Sequence, residues 1–316
     1  MLLQTFMLLP PVFKSEKRTS RRRRKLMKRK NKKIKTLKKN WPIFLLAAIM
    51  FSALFYLSFY RNTYTEKPIV VVIPSYNNAQ WYKRNLDMLV AQEKNYKNWR
   101  AVYIDDFSTD GTGDEVEKYI KEKKFDHKIK LIKNKERHRQ LHNVYNTVHT
   151  CKNNEIVVIY DGDDFLKDDS VLLHINKVYQ DPNVWMTYGQ YEVHPTGQKG
   201  QCQEIPDIVI DQNEFRSYKW VSSHLRTFYA GLFKQIKKED LMHNNDFFHA
   251  ATDMAAMFPM LEMAGKHAHF IPRTLYVHNQ DNPLNQFKTE LKLVLYLDRV
   301  ARNKKRYDRL AALDVT

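Results

Sequence analysis

Ile156-Val157-Val158-Ile159-Tyr160-Asp161-Gly162-Asp163-Asp164 joins an apolar, β-branched run to three carboxylates within four residues. Such a run is a buried strand, and in an open parallel sheet ligands bind beyond the carboxyl ends of the strands. Acids placed there face a site rather than a core. Hard divalent cations such as Mg²⁺ and Mn²⁺ take oxygen ligands and keep waters and substrate phosphates in their shell. The D-x-D spacing alone says little, because a chain with 21 Asp in 316 residues yields about one such pair by chance. Its meaning depends on what stands on either side.

On both sides, short β-branched runs alternate with longer amphipathic stretches from residue 68 onward. Strands are expected at 69–73, 101–104, 129–132, 156–159 and 184–188, and helices at 79–92, 112–124, 138–149 and 168–180. The unit length fits βαβ crossovers and predicts an α/β fold, a mostly parallel Rossmann-like sheet flanked by helices. The rhythm is lost over 189–225, which reads as loops. A helix at 253–264 follows, opened by Thr252-Asp253 and ended by Gly265, then a strand near 267–271. Residues 286–316 form a basic tail whose helix places Leu291, Val294, Leu295 and Leu297 near one face, suited to pack on the domain or lie on a membrane surface.

The net charge of +18 is concentrated. Residues 14–39 hold 16 Lys and Arg against one acid, Glu16, so +15 belongs to this stretch and only +3 to the rest. Residues 41–60 then run from Trp41 to Tyr60 without a charge, long enough for a helix through a hydrocarbon core. The basic block beside them predicts a cytoplasmic N-terminus and an uncleaved single-pass signal anchor, since no small-residue cleavage site precedes Arg61. The organisation expected is a basic arm (1–40), a transmembrane helix (41–60), a linker (61–67), the α/β domain (68–285) and the tail. The basic block lacks interleaved aromatics, which argues against nucleic acid and for topology. Two cysteines, Cys151 and Cys202, supply neither a disulfide framework nor a zinc spacing.

Four segments carry candidate chemistry. Pro74-Ser75-Tyr76-Asn77 ends the first strand; Tyr76 can stack on a base and Asn77 can bond to it, although Asn also caps helices. Asp105-Asp106-Phe107-Ser108-Thr109-Asp110-Gly111-Thr112 follows the second strand with acids able to accept from a base or ribose. Asp161–Asp164 is the third. Asp253, at a late helix start, is placed to cap that helix or to take a proton from a hydroxyl.

In order and spacing these segments resemble the family 2 inverting glycosyltransferases of GT-A fold, over Pro68 to about Asn285. Asp105 to Thr112 resembles that family's DDxSxDGT segment, Asp161-Gly162-Asp163-Asp164 its D-x-D pair and following Asp, and Thr252-Asp253 the ED that opens its base helix. The resemblance implies transfer of a sugar from a nucleotide-sugar, UDP-linked by preference, to a hydroxyl of a glycan, lipid-linked or protein acceptor. It gives Asp253 the role of general base. Pro74, Tyr76, Asn77, Asp105, Ser108, Asn146 and Asp161 would bind the donor, and Asp163, with Asp161 and His278, would hold Mn²⁺ or Mg²⁺ beside the diphosphate. Arg137 and Arg226 are candidates for acceptor or phosphate contacts, Arg226 equally for a structural ion pair. The chain departs from the family at Arg137 to Asn146, which lacks the usual glycines and has Tyr145 in place of an Arg, and at Thr252, which replaces a Glu. No Gln-x-x-Arg-Trp follows the base, which excludes a processive polymer synthase. Of the rival classes, a sugar nucleotidyltransferase would need a Gly-rich phosphate loop near Pro74–Asn78, and a catalytically inactive, membrane-tethered GT-A binding module would release no nucleotide.

Overall fold

The computed structural model describes residues 24–30, 41–42, 45–56 and 64–315. The chain divides into two units, Met1–Thr63 and Tyr64–Thr316. In the first, residues 24–30 and 45–56 are helical and exposed. The transmembrane helix expected over 41–60 is overturned: among the described residues no helix is long and apolar enough to cross a membrane. The described helical residues 45–56 span about 18 Å at the usual rise, against a hydrocarbon core of about 30 Å. The single-pass membrane localisation with a cytoplasmic N-terminus rested on that helix and falls with it. Residues 43–44 and 57–60 of that stretch, 1–23 and 31–40 of the basic arm, and 61–63 of the linker lie outside the described residues.

The second unit is built on a nine-stranded sheet. β1 (Ile69–Ser75), β2 (Trp99–Asp105), β3 (Ile129–Lys133) and β4 (Ile156–Ile159) alternate with helices α1 (Tyr82–Val90), α2 (Thr112–Lys123) and α3 (Gln140–His149). These four strands pair in parallel in the order 3-2-1-4. Next come β5 (Phe165–Leu166), α4 (Val171–Val178), β6 (Met186–His194), β7 (Gln198–Lys199), α5 (Asp207–Asp211), β8 (Arg226–Tyr229) and α6 (Ala230–Phe233). A small hairpin of β9 (Met242–His243) and β10 (Asp246–Phe247) precedes α7 (Thr252–Ala264), β11 (Ala268–Asn279), α8 (Gln286–Thr289) and α9 (Leu291–Asn303). Beyond β4 the sheet continues as β8, β6, β11 and β5.

Strand direction decides where the site forms. β8 runs against both β4 and β6, while β6 and β11 are parallel to each other. β6 and β11 therefore point the same way as β1 to β4, and the carboxyl ends of all six strands share one edge. The reversed β8 brings its first residue there instead, with Arg226 in register opposite Ile159.

Alternation along the strands makes the two cores. Val70 and Val72 face one cluster with Leu141 and Val144 of α3, Met257 of α7 and Leu297 of α9. Ile69, Val71 and Ile73 face the other with Leu86 of α1, Val116 of α2 and Ile175 of α4. The sheet is thus covered on both faces, which is why Ile69–Ile73 of β1 and all of β4 lack polar alternation.

Three expectations shift. The 189–225 region is not all loop, since β6 runs through to His194 before β7 and α5. The strand expected near 267–271 extends to Asn279, its register irregular around Ile271, Thr274 and Tyr276. Pro272 lies at that irregularity, where a missing N–H costs no ladder bond, so the sequence looked like a strand end. In the tail, Val294, Leu297 and Ala301 of α9 are buried in the core beside α7, so this helix packs on the domain.

Candidate functional site

Two strand-end loops are laced together at the first wall. Asn77, in the left-handed region (φ +53°), donates its backbone N–H to Ser108 Oγ at 2.9 Å and accepts from Thr109 N–H at 2.9 Å. Asn77 and Ser108 therefore brace each other. Tyr76 stands above them with the Arg137 guanidinium 3.7 Å from its ring centre. Asp105 lies beneath the loops; burial pushes its carboxyl up, against hydrogen bonds from Ser108, and its Oδ1 has no partner. Its neighbour Asp106 accepts from Asn134 Nδ2, His138 N–H and Arg139 N–H at 2.7–2.9 Å. Burial alone would raise Asp106, but the adjacent Asn143 amide and these bonds outweigh it and lower its pKa. Asp106 so fixes the course of the chain into α3.

At the end of β4, Gly162 is dictated by space: a Cβ there would lie 2.7 Å from Ser75 Cβ and 2.9 Å from Asn78 Nδ2. This close approach to β1 admits only glycine between Asp161 and Asp163. Asp161 accepts from Gln140 Nε2 at 2.5 Å and faces Arg226 Nη2 at 3.3 Å. Asp163 accepts from Asn282 Nδ2 at 2.7 Å. Asp164 is buried, accepting the Asn279 N–H at 2.7 Å and facing His278 Nδ1 at 3.2 Å. The pairing of β5 with β11 sets this last contact.

Burial in this acidic corner raises two of the carboxyl groups. Burial, reinforced by Asp164, pushes Asp163 up to about 7. Burial likewise pushes Asp161 up to about 6, opposed by Arg226. For His278 burial works against the cation, but Asp164, Asp163 and Asp161 prevail and raise it to about 9. His224, stacked on Tyr276 at 4.7 Å, is instead driven well down by burial and by Arg226 and His278. Arg226 Nη2 lies 3.2 Å from His224 Nδ1, and since arginine only donates, that nitrogen accepts.

The opposite wall is the start of α7. Asp253 Oδ2 stands 3.6 Å from Arg226 Nη1, so one buried guanidinium lies between Asp161 and Asp253. Arg226 is engaged as an internal ion pair rather than extended toward solvent. Thr252 Oγ1 donates to Gln140 Oε1 at 2.5 Å.

Between these walls opens a cleft of about 690 Å³. Of the expected residues, Pro74, Tyr76, Asn77, Arg137, Asp161, Asp163, Arg226, Asp253 and His278 line it. Asp105 and Ser108 lie behind its wall, and Asn146 is exposed on α3, against His142 at 3.1 Å. One turn earlier Asn143 lines the cleft, as do Asp106, Arg139, Gln140, Asp164, His224 and Asn282; of these, Asn143, Gln140 and Asn282 carried no expected role. For Asn143 the available signal was its helical spacing from Gln140; for Asp164, its place beside the D-x-D pair.

The donor chemistry fits a divalent cation. Asp164, His224 and His278 each offer a ligand atom within 4.8 Å of one another, and the carboxylates of Asp161 and Asp163 line the same cleft. Carboxylate with imidazole suits Mn²⁺ better than Mg²⁺, which prefers oxygen alone. Where Asp163 and His278 were expected to share the ion, it is Asp164 that faces His278.

Comparison with known proteins places this geometry. Residues 70–260, more than half of the chain, match Glycosyl transferase family 2. Comparison with curated proteins finds no match. Among solved structures, S. aureus TarS 1-349 is similar at 16% identity and a TM-score of 0.53, over 74% of this chain and 65% of that one. The S. aureus TarS structure (TM-score 0.51, 16% identity) is matched over 74% of this chain, which spans only 39% of TarS. The mannosyltransferase PcManGT from Pyrobaculum calidifontis, in complex with GDP-Man and Mn²⁺, is similar at 20% identity and a TM-score of 0.51, over 84% of this chain and 76% of its own. At such identities the likeness speaks for the α/β fold of GT-A type, while the family match speaks for the chemistry. The chain belongs to glycosyl transferase family 2.

Proposed function

We propose that the protein moves a sugar from a nucleotide-sugar donor to an acceptor hydroxyl in one inverting displacement, with Asp253 as general base. The observation that carries this reading is one cleft lined by Asp161, Asp163, Asp164 and Asp253, with Arg226 between Asp161 and Asp253. The donor's base lies against Pro74, Tyr76 and Asn77, a wall stiffened from behind by Asp105 and Ser108. Its diphosphate points to Asp161–Asp164, with Arg137 at the rim to meet phosphate charge. A divalent cation, Mn²⁺ in preference to Mg²⁺, held by Asp163, Asp164 and His278 with Asp161 and His224 beside them, would neutralise charge on the departing diphosphate.

The chain's own residues do the rest. Asp253 takes the proton of the acceptor hydroxyl as its oxygen bonds to the anomeric carbon and the bond from that carbon to the diphosphate breaks. Attack from the face opposite the leaving group inverts the anomeric centre. Arg226 holds the Asp253 carboxylate toward the donor side. The acceptor, a glycan, lipid-linked or protein hydroxyl, enters where Trp220, Met254 and Phe287 line the cleft.

Purified protein incubated with a panel of UDP- and GDP-sugars and Mn²⁺ tests this. Nucleotide release with at least one donor is expected, and sugar transfer once an acceptor is present. No release from any donor, even by hydrolysis, contradicts the proposal. Calorimetric titration with Mn²⁺ and with Mg²⁺ checks the ion independently of turnover.

A further inference from the structure

Gln140 opens α3 and stands between the two walls. Its Nε2 donates to Asp161 Oδ1 at 2.5 Å, and its Oε1 accepts from Thr252 Oγ1 at 2.5 Å. The direction of this chain is fixed by chemistry. An amide nitrogen only donates and an amide oxygen only accepts, so the Thr252 hydroxyl must point its proton at Gln140. The flipped amide would set its oxygen against the Asp161 carboxylate and is excluded by that repulsion.

Thr252 is the first residue of α7, buried, and next to Asp253; Ala251 before it is in the left-handed region at φ +50°. A second link runs beside the first, from Asp161 through Arg226 to Asp253. Both leave the same carboxylate and end on adjacent residues. A single link would let the helix start pivot about its contact, whereas two on neighbouring residues fix both separation and rotation.

We propose that Gln140 and Thr252 are positioning residues: their hydrogen-bond chain from Asp161 holds the start of α7 so that the Asp253 carboxylate keeps a fixed distance and orientation toward the donor. Neither residue needs to touch the reacting atoms. The inference rests on the reading of Asp253 as base and adds what sets it in place. Misplacing a reacting group by about 1 Å can cost on the order of 10²-fold in rate, so a link of this kind affects turnover rather than donor binding.

Four variants test it on the full chain. Thr252→Val keeps the shape and removes the hydroxyl; Thr252→Ser keeps the hydroxyl; Gln140→Ala breaks the same chain from its other side, and the fourth joins Gln140→Ala to Thr252→Val. Thr252→Val and Gln140→Ala are each expected to lower kcat for transfer by about tenfold or more, with donor KM within about twofold. Thr252→Ser should stay within about threefold of the parent, and the double variant should be no worse than the weaker single one, as for two breaks in one chain. Parental kcat in Thr252→Val, a loss confined to donor KM, or losses that multiply in the double variant would overturn the proposal. Asp253→Asn is run alongside to separate the two readings. If it retains parental transfer, the assignment of the base fails; if it is inactive while Thr252→Val is unaffected, only the positioning role fails.

Discussion

Arg216 and Arg226 are both about 5% exposed, yet they are held in opposite ways. Arg216 makes a bidentate pair with Glu262, Nε to Oε1 at 2.5 Å and Nη2 to Oε2 at 2.8 Å, while its Nη1 donates to the Ala301 carbonyl. It ties the stretch before β8 to α7 and α9 with every direction of its guanidinium used. Arg226 has no such completeness. Its carboxylate contacts are longer, at 3.3 and 3.6 Å, it shares Nη2 with His224, and its Nε has no partner. Burial disfavours its charge, but Asp161 and Asp253 outweigh that and raise its pKa. Short, saturated geometry cements a fold; a charge divided between two acids, with a donor to spare, belongs to a site whose partners change when substrate arrives.

Breaking each pair separates the roles. Arg216→Met leaves the Glu262 carboxylate in a dry core and should cost about 3–5 kcal/mol, a Tm drop on the order of 10 °C, with the rate per folded molecule unchanged. Calorimetry and a titrated assay check both halves. Arg226→Met should do the reverse, lowering kcat/KM by on the order of 10²-fold, about 2.7 kcal/mol, with Tm shifted by only a few degrees. The acids it leaves behind reach the cleft, Asp161 and Asp253 side chains being 19% and 25% exposed, so water can take over their solvation. Equal Tm losses in the two variants would erase the distinction.

A smaller effect sharpens the comparison through pH. His278, raised to about 9 from its free value of 6.5, lends stability that is complete below about 6.5 and is lost as pH climbs through 9. Asp163, raised to about 7 from 3.8, binds its proton more tightly when folded, so stability also falls with rising pH between those values. Both slopes have one sign, and the metal-free protein should lose Tm steadily from pH 6 to 9. A cation displaces these protons, so Mn²⁺ should bind about tenfold or more tightly at pH 8 than at pH 6, with proton release seen by calorimetry in buffers of different ionisation heat. Affinity independent of pH would show that these groups do not meet the ion.

How far the sequence revealed this site follows the same division. β1 to β4 are local signals, β-branched runs each ended by a turn or an acid, and they led directly to Asp105, Asp161 and Asp163. Asp253 was visible because a helix start is written in its first two residues. The other half of the sheet depends on distant pairing. β8 is four residues long and reversed, so nothing near Arg226 announced that it would lie opposite Ile159 between two acids. The contact of His278 with Asp164 needs β5 against β11, more than a hundred residues apart. Asn146 follows from the family pattern, whereas helix phase turns Asn143 toward the cleft, and only packing sets that phase. The apolar stretch at 41–60 shows the converse, where composition promised a span that no described helix provides.

Asp253, held by Arg226 against the Asp161 corner, is proposed to remove the acceptor proton. The most direct measurement is the single-turnover rate of sugar transfer to an acceptor in Asp253→Asn beside the parent, with donor affinity measured on both. A rate lower by on the order of 10²–10⁴-fold is expected, with donor affinity within a few-fold of the parent. Transfer at the parental rate in Asp253→Asn would contradict it.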